Sequence, residues 1–153
     1  MNIKDKNRCL LVVDDDNICN LVTKTLIRKT GFTGHIEIAK NGNDGLDYLS
    51  KSLSPNQKNL SPLPDLILLD INMPEINGWQ FLDALDSFDQ KIINDVSVVM
   101  VTSSVSPFDT KRAEDSKYVY EFVTKPLNEA KVKYLLDKYF CQNTKARTRK
   151  ILR

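Results

Sequence analysis

One stretch, Pro64-Asp65-Leu66-Ile67-Leu68-Leu69-Asp70-Ile71-Asn72-Met73-Pro74-Glu75-Ile76-Asn77-Gly78, restricts the fold more than any other part of the chain. The unbroken apolar run from Leu66 to Leu69 predicts a strand buried on both faces, because a strand with one wet face alternates apolar and polar residues. Such strands lie inside parallel sheets. The run ends on Asp70, and the ligand crevice of an open α/β sheet lies just outside the carboxyl ends of its strands, so a carboxylate is delivered to that rim. Met73-Pro74 and Asn77-Gly78 then stop the strand and turn the chain toward a helix. Taken alone, an Asp in this place also serves as a cap or turn former.

The remainder of the chain repeats the pattern. Cys9 to Val13 predict a short apolar strand ending on Asp14-Asp15-Asp16. From Asn17 to Thr30 the residues Ile18, Leu21, Val22, Thr25 and Leu26 recur at helical spacing, Gly31 supplies a stop, and Asp16 stands where an N-cap belongs. His35 to Ala39 read as a half-exposed strand with Ile36 and Ile38 on one face. Asn41-Gly42 leads into a short helix carrying Leu46, Tyr48 and Leu49. Ser50 to Pro64, rich in Ser, Pro, Asn and Lys, reads as an exposed loop that is long for a compact domain. After Asp70 comes a helix from about Gly78 to Phe88 with Phe81, Leu82 and Leu85 inward. Val96 to Val101 form another buried strand, ending on Thr102-Ser103-Ser104. Pro107 suits the first turn of a solvated helix that carries Asp109, Lys111, Arg112 and Glu114. Tyr120 to Thr124 give a fifth strand ending at Lys125-Pro126. The last helix, from about Asn128 to Phe140, has Val132, Leu135, Leu136, Tyr139 and Phe140 on its apolar side. This alternation predicts an α/β domain: a doubly wound five-stranded parallel sheet with helices on both faces and right-handed crossovers.

Composition narrows the class of function. With 153 residues, 41% of them hydrophobic and 27% charged, the chain matches one soluble globular domain. It reads as a polar lead over residues 1–8, the folded domain over 9–140 and a basic tail over 141–153, where Lys145, Arg147, Arg149, Lys150 and Arg153 occur without an acid. That tail reads first as a frayed terminus, and otherwise as a contact for nucleic acid, anionic membrane or an acidic partner. No apolar run approaches the roughly 20 residues that span a bilayer, and the start MNIKDKNR has no signal-peptide core, so a cytoplasmic protein without membrane attachment is expected. Cys9, Cys19 and Cys141 are odd in number and lack metal-like spacing, which argues against a disulfide framework or zinc site. The 22 basic and 20 acidic side chains nearly balance, so net charge gives no reason to expect a polyanion partner. His35 reads as an ordinary strand residue and Trp79 as a packing or surface residue.

Four strand ends carry polar residues: Asp14-Asp15, Asp70, Thr102 and Lys125. Strand ends of one parallel sheet share an edge, so these side chains should converge. Clustered carboxylates push protons back on to one another unless a cation lies among them. A hard divalent ion resolves the conflict, and Mg²⁺, which takes carboxylate, water and phosphate oxygens, suits this set better than Zn²⁺ where no His or Cys is near. Asp70 would then act as a nucleophile toward phosphorus and form an aspartyl phosphate. Lys125 and the Thr102 hydroxyl would donate to the phosphoryl oxygens.

At this point the sequence resembles the receiver domains of two-component response regulators, in the stand-alone, single-domain form. The matching pieces are VVDDD at 12–16, DLILLDINMPEINGWQFL at 65–82, VVMVTSS at 98–104 and EFVTKPL at 121–127, all in the family's order and together covering the chain from about Cys9 to Phe140. The resemblance implies a flavodoxin-like receiver topology with Asp70 as phosphoacceptor. It implies Asp14 and Asp15 as the acidic pair of an Mg²⁺ site, Asp15 ligating directly and Asp14 mostly through water, with the backbone carbonyl of Asn72 as a further ligand. Thr102 would be the switch hydroxyl, Lys125 the phosphoryl-binding lysine and Phe122 the aromatic switch, and Lys125-Pro126 would be a cis peptide. A histidine kinase or phosphotransfer protein would present a phosphohistidine. The added charge of about −1.5 to −2 would draw Thr102 inward and let Phe122 rotate, biasing the face of the fourth helix, fifth strand and fifth helix between two arrangements. An unknown downstream protein would read that face, and a homodimer on it is a further family expectation. No output domain follows the last helix, so no DNA-binding domain is expected.

Departures from the family pattern are also legible. Ser50 to Pro64 is longer than in minimal members and resembles stand-alone regulators serving phytochrome-type or multi-sensor kinases. Ala113 to Val119 lacks the usual Gly-Ala, which leaves the length of the fourth helix open. Phe122 has no hydroxyl, so a switch there must work by packing. Ser103 spaces the Thr102 turn, while Ser104 and Asn72 stand where side chains would hinder a hydrolytic water. Three competing readings fit less well. A phosphatase of the haloacid dehalogenase class also uses an Asp nucleophile, Mg²⁺, a Thr/Ser and a Lys, but needs a second Asp two residues on, where Asn72 stands. A nucleotide-binding domain would need a glycine cradle after the first strand. A receiver-like adaptor that never accepts phosphate would normally lose an acid or the lysine, and all are present.

Overall fold

A computed structural model describes residues 6–56 and 61–141. Strands β1 (Cys9–Val13), β2 (His35–Ala39), β3 (Leu66–Asp70), β4 (Ser97–Thr102) and β5 (Val119–Thr124) form one parallel sheet in the order β2-β1-β3-β4-β5. The unbroken apolar runs of β1, β3 and β4 are buried along their whole length. Their side chains alternate between two cores, as the two-residue period of a strand requires. Leu11, Val13, Ile67, Leu69 and Met100 face one layer, made by α2 (Gly42–Leu53), α3 (Gly78–Ala84) and α4 (Pro107–Asp115), which contributes Leu49, Phe81 and Ala113. Leu10, Val12, Leu68, Val99 and Val101 face the other, made by α1 (Asn17–Lys29) and α5 (Glu129–Leu136), which contributes Ile27, Val132 and Leu135. The doubly wound sheet with helices on both faces is therefore the observed architecture.

The structure departs from the sequence reading in three places. First, α2 runs on to Leu53, so Ser50 to Leu53 are helix rather than loop. The Ser52 hydroxyl donates to the Tyr48 carbonyl at 2.9 Å, a bond that satisfies a polar residue inside a helix, and the Tyr48 hydroxyl donates to the Pro62 carbonyl at 2.7 Å. With Leu63 packed on the core, the segment is fastened at both ends; residues 57–60 lie outside the described residues. Second, a single helical turn, Gln90–Ile93, follows a 3₁₀ turn at Leu85–Ser87, and α5 gives way to a π-helical turn over Asp137–Cys141. Third, the helical spacing of Ile18, Leu21 and Val22 is real but marks the wrong face. These side chains are 76%, 68% and 47% exposed, while Asn20, Thr23 and Ile27 are the buried residues of α1.

The helix ends follow their local chemistry. Asp16 caps α1 by accepting from the Ile18 and Cys19 N–H groups, and Ser106 with Asp109 forms a capping box at α4, where Pro107 opens the first turn. That helix ends at Asp115, and Ala113 is its only buried residue. No helix among the described residues is long and apolar enough to cross a membrane. The basic tail beyond Cys141 lies outside the described residues.

Candidate functional site

Strand register assembles the site. Val13 pairs with Leu69, so one step further Asp14 and Asp70 leave adjacent strands side by side, at the point where the strand order reverses direction. Asp70 pairs with Val101 and Thr102 with Thr124, which brings the ends of β4 and β5 to the same rim. Asp14 and Asp70 are each 7% exposed, Asp15 is exposed, and one carboxylate oxygen from each of the three lies within 4.8 Å of the others. The Lys125 ammonium donates to Asp14 Oδ2 at 2.8 Å and stands 3.5 Å from Asp70 Oδ2. The Lys125-Pro126 peptide is cis. Asp14 is fixed further by the Asp16 N–H on its Oδ1 at 2.9 Å and by Asn20 Nδ2 on its carbonyl at 2.8 Å.

Electrostatics at the rim follow from this crowding. Burial, then the charge of Asp14, pushes the Asp70 carboxyl up to about 6, against the pull of Lys125 and the Asn72 N–H. Burial on its own would lower Lys125, but its hydrogen bond to Asp14 and the charges of Asp14 and Asp70 outweigh it and hold the ammonium above its usual range. Three carboxylates against one ammonium leave an excess of negative charge in an all-oxygen donor set. Cys19, which lines the same cleft, has its thiol pushed up by burial and stays protonated. The donor set therefore fits a hard divalent cation held by Asp14, Asp15 and Asp70.

The β3–α3 loop is shaped by close approach. The Gly78 N–H donates to the Ile71 carbonyl at 2.8 Å, and a Cβ on Gly78 would lie 2.6 Å from the Asp70 carbonyl oxygen, so no side chain fits there. Glu75 takes a left-handed backbone conformation (φ 66°), and its carboxylate accepts from Asn43 of α2 at 2.9 Å. Exposed Asn72 sits between these restraints, its N–H 3.4 Å from Asp70 Oδ1.

Comparison with known proteins agrees with this geometry. The response regulator receiver domain profile matches residues 10–137. The chain belongs to that family. Over 119 residues it is 30% identical to a probable methanogenesis regulatory protein, FilR2, of Methanothrix harundinacea, covering 78% of this chain and 72% of that protein. It is 31% identical to part of hybrid signal transduction histidine kinase I of Dictyostelium discoideum, covering 87% of this chain but 7% of the kinase. A two-component response regulator from Cytophaga hutchinsonii superposes with a TM-score of 0.74 at 32% identity, covering 88% of this chain and 98% of that one.

Within this receiver the remaining candidate residues fall into two groups. Thr102 is buried beside the site, but its hydroxyl donates to the Ser104 carbonyl at 2.9 Å and not to Asp70. Phe122 is half-buried, edge-on to Trp79 with ring centroids 6.5 Å apart. Sequence reasoning missed three features. The Trp79 indole N–H donates to Asp109 at 3.1 Å, a contact signalled in principle by the need of any buried indole for an acceptor. Asn20 ties α1 to Asp14, and a polar residue on an inward helical position was the available hint. Finally, Ile18 and Val22, with Pro126 and Leu127, flank a cleft of about 170 Å³ that reaches Asp70 and Lys125.

Proposed function

We propose that this receiver takes a phosphoryl group on to Asp70 from the phosphohistidine of a histidine kinase or phosphotransfer protein in the cytoplasm, and signals by altered protein contacts. One observation carries this reading: a buried rim holds Asp70 beside Asp14, with Asp15 alongside and a single ammonium, Lys125, shared between the two buried carboxylates. With a pKa of about 6, Asp70 is mostly a carboxylate at neutral pH and so nucleophilic. Its oxygen attacks phosphorus, the P–N bond of the donor breaks, and that electron pair returns to the imidazole nitrogen. Asp15, Asp70 and the Asn72 carbonyl would hold Mg²⁺, with Asp14 acting mostly through water, and the ion would supply positive charge against the carboxylates and phosphoryl oxygens. Lys125 lies close enough to transfer a hydrogen bond from Asp14 to a phosphoryl oxygen, and Thr102 supplies the switch hydroxyl. Phe122 then moves by packing alone, changing the α4, β5 and α5 face that a downstream protein or second copy would read. On α4, Phe108 is already an exposed apolar side chain.

The donor is proposed to seat on Ile18, Leu21 and Val22, since an apolar face continuous with the cleft to Asp70 favours a partner that must reach it. Turnover of external phosphomonoesters is disfavoured. The next carboxylate after Asp70 is Glu75, which is engaged by Asn43. Incubation with acetyl phosphate and Mg²⁺ should add one phosphate-sized mass, and Asp70→Asn should abolish it; retention of the increase by that variant would defeat the proposal.

A further inference from the structure

Helix α4 has little apolar hold on the sheet, because Ala113 is its only buried residue. What fixes it is polar and comes from α3. The Trp79 indole donates to Asp109 Oδ1 at 3.1 Å, while Asp109 Oδ2 accepts from the Ser106 hydroxyl at 2.8 Å and its backbone N–H at 3.2 Å. Arg112 lies over the Trp79 ring, 5.2 Å from its centroid, and reaches Asp83 of α3 at 3.1 Å. One carboxylate thus joins the N-cap of α4 to a side chain of α3. The same Trp79 ring touches Phe122.

We infer that the Trp79–Asp109 hydrogen bond is a latch between α3 and α4 that opposes the phosphorylated arrangement, an inference that rests on the reading of Asp70 as phosphoacceptor. Thr102 and Ser106 bound the same short loop. In the observed arrangement the Thr102 hydroxyl is spent on the Ser104 carbonyl within that loop. A phosphoryl group on Asp70 that recruits this hydroxyl breaks the Thr102–Ser104 bond and draws the loop toward the site. Ser106 moves with it and pulls Asp109, its capping partner, from Trp79. The Phe122 ring, resting on Trp79, senses the same displacement. Latch and phosphoryl group therefore compete, and weakening one favours the other by the linkage that governs any two-state element.

Beryllofluoride, a phosphoryl mimic, tests this with Mg²⁺ present. Trp79→Phe keeps a ring against Phe122 and Arg112 but has no N–H, and it should bind the mimic about five- to tenfold more tightly than the wild type. Trp79 is the single tryptophan in the chain, so its emission reports the latch directly. Emission should shift when the wild type is loaded, and Asp109→Ala should show the shifted emission before loading. Equal or weaker binding by Trp79→Phe, or wild-type emission unmoved at saturation, overturns the latch. Fluorine NMR separates the two levels of failure. No bound fluoride signal in the wild type sinks the phosphoacceptor reading and the latch together, whereas a bound signal with unchanged affinity in Trp79→Phe sinks the latch alone.

Discussion

The Lys125 ammonium stands 2.8 Å from Asp14 and 3.5 Å from Asp70, so one positive charge is divided unequally between two buried carboxylates. It offsets their repulsion and, in the proposed reaction, would donate to a phosphoryl oxygen. Lys125→Met separates these roles. Labelling by acetyl phosphate should slow by about 100-fold or more, the usual effect of losing a donor aimed at developing charge. Mg²⁺ affinity measured by calorimetry at neutral pH should not fall, because removing a cation leaves the three carboxylates more attractive to another. Labelling at the wild-type rate would deny Lys125 its proposed role.

Asp70 gives a pH signature. Its folded pKa of about 6 lies above its ordinary value of 3.8, so between those limits the folded chain keeps a proton that the unfolded chain has released. Without divalent ions the contribution of Asp70 to stability is therefore fully present below about pH 4, is lost as pH rises through about 6 and is level above. Asp70→Asn cannot ionise, and urea melts at pH 7 should find it more stable than the wild type by about 1–3 kcal/mol, with the gap closing toward pH 4. Mg²⁺ binding below pH 6 should release a proton and so weaken as pH falls. A gap independent of pH would mean that Asp70 is not the strained group.

The extent to which these features could be read from the residues depends on how local their causes are. Leu66 to Asp70 announced itself because burial on both faces leaves an unbroken apolar run, and the cap at Asp16 follows from bonds within one turn. Convergence of Asp14, Asp70 and Lys125 was legible once the strands were, since parallel strands share an edge. The face of α1 was not. Asn20 points inward to bond the Asp14 carbonyl, and Thr23 is buried on the same side, leaving Ile18, Leu21 and Val22 outside; periodicity gives a stripe but not its direction. Nor was α2 read to its end, because Ser50 and Ser52 look like loop until Tyr48 supplies a carbonyl one turn back.

Asn20 offers a test of how Asp14 is held. Its Nδ2 donates to the Asp14 carbonyl, and its Oδ1 has no partner among the described residues, so the side chain's geometry serves that one bond. Asn20→Leu keeps the volume and removes the bond. Mg²⁺ should bind several-fold more weakly, by about 1 kcal/mol, in keeping with the net worth of one hydrogen bond. Calorimetry giving the wild-type affinity together with a lowered melting temperature would show that the bond serves the fold alone.

Away from the site, Glu121 of β5 and Lys138 form a buried pair at 2.9 Å, with the Tyr139 hydroxyl donating to the same Glu121 oxygen at 2.8 Å and Tyr134 to the other at 3.2 Å. Lys138→Met leaves a buried carboxylate with tyrosine hydroxyls but without its countercharge and should cost about 3–5 kcal/mol. Adding Glu121→Gln removes the stranded charge while keeping one acceptor oxygen for a tyrosine hydroxyl and an amide N–H that can donate to the other, and should recover most of that loss. Chemical denaturation of the two variants decides it, and equal stabilities would show that the charge is not the burden.

The exposed face of α1 yields the sharpest separation of partner from chemistry. Ile18 and Leu21 are surface residues at 76% and 68% exposure, so replacing either by Lys removes no packing and should leave stability within about 0.5 kcal/mol of the wild type. Acetyl phosphate needs no docking surface, and its labelling rate should be unchanged. In the proposed docking, a phosphorylated histidine phosphotransfer protein desolvates this face as it brings its imidazole to Asp70. Leu21→Lys should slow that reaction by about tenfold or more, the scale of losing one buried leucine-sized contact at 1.5–3 kcal/mol. Equal slowing with both donors would move the defect into the site itself, and no slowing with either would place the donor's contact elsewhere on the rim.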